Sequence, residues 1–215
     1  MEKVPFFDLL TILLPGALLT IVIQLFTNEF SIDLLDIETN QYFALTVFLS
    51  SSIFLGSLLG FISEQLLPVL RRVGLYTPIA KLYPKMQKID IVSGFYGKMM
   101  EKIESDSEVE LSFHEKIERV WTQIYFYLEA NEKIGTPKSF QSFYFFFRNF
   151  FTMCLILLLP LCILIYFSGQ NDNYILLSII NVFAIILSIL AGRWNRKKMV
   201  DRVFWIYFSL KNSNI

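Results

Sequence analysis

The sequence predicts an all-α polytopic membrane protein with four transmembrane helices and a small helical cytoplasmic insert. Three observations predict it. The 215-residue chain is 54% hydrophobic, with 22 Phe and a mean hydropathy of +0.52, which is too apolar for soluble domains of that size. Four apolar runs, at about 6–26, 43–62, 149–168 and 174–192, each approach the roughly 20 residues that a helix needs to cross hydrocarbon. Finally, all 19 Lys and Arg lie outside the two short segments that join runs one and two, and runs three and four.

The first run, "FFDLLTILLPGALLTIVIQLF", follows a barely basic Met1–Val4 and precedes no small-x-small cleavage site. It therefore reads as a retained helix rather than a signal peptide. In the second run Ser52, Gly56 and Gly60 recur every four residues along one helical face. Small residues at that spacing let two helix backbones approach closely in lipid. The partner helix belongs either to the same chain or to another copy. Pro15-Gly16 and Pro160 interrupt runs one and three, which predicts kinks that neighbouring helices tolerate by re-satisfying the freed carbonyls. Asp8 in run one and Asn181 in run four are too few polar groups for an ion path or proton relay. Asp8 is expected to form an interfacial ion pair with Arg148. Cys154 and Cys162 share one apolar run. At a rise of about 1.5 Å per residue they lie about 12 Å apart, too far to be bridged. They read as packing residues.

Charge sets the direction. "TNEFSIDLLDIETNQY" carries Glu29, Asp33, Asp36 and Glu38 and no base, and "GQNDN" carries only Asp172. The positive-inside rule then places both termini in the cytoplasm, together with segment 64–148. The organisation is a first transmembrane hairpin over 1–63, a cytoplasmic helical region over 64–148, a second hairpin over 149–192 and a basic amphipathic cytoplasmic tail over 193–215.

In the helical region, Ser112-Phe113-His114-Glu115 has the form of a capping box. It opens a helix to about Glu129 with Phe113, Ile117, Val120, Trp121, Ile124 and Leu128 as its apolar stripe. Gly135 reads as a stop and Thr136-Pro137 as the next N-cap and first turn, starting a helix that continues through Arg148 into run three. "GLYTPIAKLYPKMQKIDIVSG" reads as a loop and "EKIESDSEVE" as an acidic linker. In the tail, Arg193, Trp194, Arg196, Lys197, Lys198, Arg202 and Trp205 are expected to anchor the chain at the membrane surface. There each base near an anionic leaflet is worth about 1 kcal/mol. Val200, Val203, Phe204 and Tyr207 would form the apolar side of that tail.

Chemistry is sparse. A single His and two separated thiols make no zinc site. No Gly-rich phosphate loop, activated nucleophile or paired-carboxylate motif is present, so neither a catalytic centre nor a cofactor is expected. Helical ribonuclease domains of the HEPN kind carry an Arg, then four to six residues, then a His. Here the corresponding positions before His114 hold Ser107, Glu108 and Val109. The aromatic run "FYFFFRNFF" leads straight into run three and reads as interface and core surface rather than a base-stacking platform.

Taken together, "FFDLLTILLPGALL", the helical insert, "FFFRNFF" and the tail "RWNRKKMVDRVFWIYF" resemble the small four-pass membrane proteins that accompany bacterial antiviral systems. The layout is most similar to the multi-pass accessory protein of type VI-B CRISPR loci. The resemblance implies a non-enzymatic inner-membrane protein that modulates an RNA-guided nuclease response or acts on the membrane downstream of it. A homo-oligomer and a cytoplasmic protein or ribonucleoprotein partner are also expected, while direct nucleic-acid binding is not. The competing classes are a small transporter or channel unrelated to defence, and a scaffold that recruits a cytoplasmic partner.

Overall fold

The computed structural model describes residues 6–29, 41–82, 113–167 and 172–212. Among these the chain is all-helical: α1 (Phe6–Glu29), α2 (Gln41–Gln65), α3 (Leu67–Arg72), α4 (Phe113–Ala130), α5 (Gly135–Phe167) and α6 (Asp172–Asn212). Three stretches are long and apolar enough to cross a membrane: Tyr42–Gln65, Gly135–Phe167 and Asp172–Tyr207. The apolar stretch described in α1, Thr11–Gln24, is shorter.

The chain forms two compact units, residues 1–75 with 142–192, and residues 76–141 with 193–215. Unit 1 is built on α1, α2, the apolar part of α5 and the start of α6. Leu19, Leu59, Met153, Cys154, Leu157 and Leu161 form its buried centre. The helix containing run two stops at Gln65 and resumes as α3 because Pro68, at the first turn of α3, has no N–H to donate back. The last turn closes with Gly74 at φ 75°, a left-handed position that glycine takes without steric cost.

Unit 2 is an amphipathic pair. On α4, Ile117, Ile124 and Leu128 are buried with Val120, Trp121 and Tyr125 packed beside them, and the tail part of α6 supplies Met199, Val200, Val203 and Phe204. The apolar side of the tail is thus covered by protein, where the sequence pattern alone suggested the headgroup layer. α4 ends on a Schellman turn, in which the Lys133 N–H donates to the Leu128 carbonyl (2.9 Å) and the Glu132 N–H to the Glu129 carbonyl (3.0 Å). Glu132 takes the left-handed position, φ 56°, that glycine ordinarily fills. α5 then begins at Gly135, one residue before the expected N-cap Thr136, a displacement within the usual spread of helix boundaries. Ser112 and the acidic linker lie outside the described residues, as does the side chain of His114.

Candidate functional site: a polar node among apolar helices

Helix α1 carries Pro15 in its interior. Proline has no N–H, so the carbonyl four residues back, that of Thr11, loses the donor a regular helix supplies. In an apolar surrounding an unmet carbonyl costs several kcal/mol. Another helix meets this one: Asn149 of α5 donates from Nδ2 to the Thr11 carbonyl at 3.3 Å. The Asn149 carbonyl oxygen in turn lies 3.1 Å from the Ser63 hydroxyl of α2. That hydroxyl also lies 2.7 Å from the Gly60 carbonyl, so its one proton is shared between two acceptors. Asn149 and Ser63 are 3% and 0% exposed. One side-chain amide therefore ties three helices together, and its orientation follows from chemistry, since a carbonyl accepts only from the NH2 end.

Beside this node Arg148 is buried, its Nη2 lying 3.6 Å from Glu64 Oε1 of α2 and its guanidinium 4.8 Å from the Phe145 ring. The sequence pairs Arg148 with Asp8. The side chain of Asp8 lies outside the described residues; among those described, Arg148 pairs with Glu64. A second amide, Asn181 of α6, donates to the Cys154 carbonyl of α5 at 2.9 Å. It joins run four to run three instead of standing in an ion path.

Ser52 and Gly56 fall where α2 meets α1, and Gly16 stands opposite them. A Cβ on Gly16 would overlap the Ser52 carbonyl, and one on Gly56 would overlap the Ile12 carbonyl. The backbones touch there, so the neighbour of this face is a helix of the same chain. Ser52 contributes by being small, because its hydroxyl donates within its own helix to the Phe48 carbonyl at 2.7 Å. Gly60 differs, since a Cβ there would meet only Asn149 Nδ2 at 3.9 Å. Further along the same helices an open cavity of about 330 Å³ is lined entirely by apolar side chains, among them Leu19, Leu55, Leu59, Ile156 and Pro160. A polar solute finds no hydrogen-bond partner in that wall.

The tail residues divide. Trp194 and Trp205 are exposed, 55% and 45%, as are Arg193, Lys197 and Arg202, while Lys198 is half-buried. Arg196 is buried. Its Nε donates to the Thr77 carbonyl at 3.3 Å, and its guanidinium lies 4.3 Å from the centre of the Tyr76 ring. It therefore holds the segment after α3 instead of meeting lipid. Among the described residues no three His, Cys, Asp or Glu gather as a metal site would require.

What this arrangement does chemically is hold helices together: it contains interhelical amides, an ion pair and close backbone contacts. The sequence reading missed Asn149. The available signal was Pro15 itself, which requires a donor from elsewhere. The chain matches no protein-family model, no curated protein and no solved structure.

Proposed function

We propose that the chain is a non-enzymatic accessory or effector protein of the bacterial inner membrane. In this reading it acts in antiviral defence, modulating a cytoplasmic nuclease response or membrane integrity, as the resemblance to the multi-pass protein of type VI-B CRISPR loci implies. The observation that carries the membrane part is the length and apolarity of α2, α5 and α6. Helix α1 supplies the fourth crossing: its 24 residues, at a rise of about 1.5 Å, extend about 36 Å against a hydrocarbon thickness of about 30 Å. Both termini and the charged insert then face the cytoplasm, on the side of all the Lys and Arg. Both α5 and α6 run unbroken from charged to apolar sequence. In this reading the partner acts on the charged residues of these two helices. A homo-oligomer and a cytoplasmic protein or ribonucleoprotein partner complete the proposal.

Two measurements test it. A periplasm-active phosphatase fused after Ile215 should be inactive and one fused after Asp36 active; activity after Ile215 refutes the four-crossing topology. Phage plating on cells carrying a type VI-B nuclease should change when the chain is co-expressed. Unchanged plating, with insertion verified by blot, refutes the defence role. Depolarisation without nuclease or phage would instead favour the channel class.

A further inference from the structure

Beyond its uncharged run Tyr174–Gly192, α6 carries a compact cationic and aromatic face. Tyr174–Gly192 contains no charged residue, and its 19 positions at about 1.5 Å each make about 28 Å, close to the hydrocarbon thickness. Lys197 and Lys198 therefore lie about 7 to 9 Å past its end along the helix. That is the outer edge of the headgroup layer, which adds about 5 to 8 Å on each side. Arg202 and Trp205, about 15 to 20 Å past it, lie beyond that layer. The ring at this level is held in place: Trp194 packs edge-on against Phe140, centroids 5.7 Å apart at 74°, and Lys198 Nζ sits 5.8 Å from the Trp194 centroid. Lys197, three residues after Trp194 on the same helix, is exposed. Asp201, one turn further on, is the single acid between Arg193 and Asn212.

We propose that Trp194, Lys197 and Lys198 form a binding site for the phosphate headgroup of an anionic phospholipid. Charge complementarity and depth select this ligand. Lipid phosphates are the anions present at the end of a hydrocarbon-length helix, and an amphipathic indole is at home at that level. Arg196 is excluded because Thr77 and Tyr76 already hold its guanidinium, and Arg202 is excluded by depth. The site rests on the membrane reading proposed above and names its lipid partner.

The full chain is reconstituted with equal parts phosphatidylglycerol and phosphatidylcholine, extracted in mild detergent, and its retained lipids counted by native mass spectrometry. Wild type should retain phosphatidylglycerol preferentially. Lys197→Gln/Lys198→Gln should lower that preference by about fivefold per charge, while Arg119→Gln/Lys133→Gln, which removes two exposed charges elsewhere, should not. An equal loss from both double variants, or a loss from Arg202→Gln as large as from Lys197→Gln, overturns the assignment. So does retention of RNA through the two lysines without lipid preference. Alkaline extraction separates the two levels of inference. Release of the chain from membranes sinks the membrane reading, whereas a retained chain with unaltered lipid selection sinks only the headgroup site.

Discussion

Replacing Asn149 by Ala should destabilise unit 1 by an amount that depends on residue 15, more than a hundred positions away. In the native sequence the Thr11 carbonyl receives the Asn149 amide because Pro15 has no N–H to offer. Losing that donor leaves an apolar-surrounded acceptor unmet, at about 1–3 kcal/mol. Interhelical hydrogen bonds in lipid average about 0.6 and reach about 1.7 kcal/mol, so about 2 kcal/mol is expected. In a Pro15→Ala background the alanine N–H closes the regular helical bond to Thr11, and Ser63 keeps the Gly60 carbonyl. Asn149→Ala should then cost only about 0.6 kcal/mol. The coupling, about 1 kcal/mol or more, is read from a double-mutant cycle of unfolding in mixed micelles. Equal losses in the two backgrounds would refute the argument that proline creates the need asparagine fills.

The small residues of α2 should respond in opposite directions. Gly56→Ala should lose stability in detergent, because overpacking against the Ile12 carbonyl costs about 1–3 kcal/mol; Gly60→Ala should gain up to about 1 kcal/mol of helix propensity, and an unchanged order of melting would show that the close approach is absent. Glu132→Gly should stabilise unit 2 by about 0.5–1 kcal/mol, since glycine relieves the left-handed strain at φ 56°, and a lower melting temperature would contradict this. In a phage-protection assay His114→Ala should retain activity and a Gly-Gly insertion near Phe147 should abolish it, each glycine costing about 1 kcal/mol of helix propensity. The reverse pattern would reopen chemistry at the lone histidine.

Runs two, three and four were legible in the sequence because a hydrocarbon-length apolar stretch leaves a signal that no local exception hides, and the described residues of each lie within one helix. The α4 stripe was legible by its period, and Ile117, Ile124 and Leu128 are its buried members. What covers a stripe was not legible. Val200, Val203 and Phe204 suit lipid and protein equally, and only the packing of α4 against them separates the two. Side-chain partners were legible least. Arg196 and Lys197 are neighbours of like charge, yet one is buried under Tyr76 and the other exposed, a difference set by helix phase relative to a surface that the sequence does not display. Asn149 stands in an aromatic run with no spacing to mark it, and its partner lies 138 residues away.

That separation also has a meaning in time. The contacts that bring Gly16 against Ser52 and Gly56 involve only the first 56 residues, so the opening hairpin can close while most of the chain is still being made. The Thr11 carbonyl must wait until 138 further residues are synthesised, roughly 7–28 s at about 5–20 residues per second. From closure of that hairpin until Asn149 is made, 93 residues later, the Thr11 carbonyl lacks this donor. Arrival of the third apolar segment is thus the event that turns a provisional helix pair into a settled three-helix node.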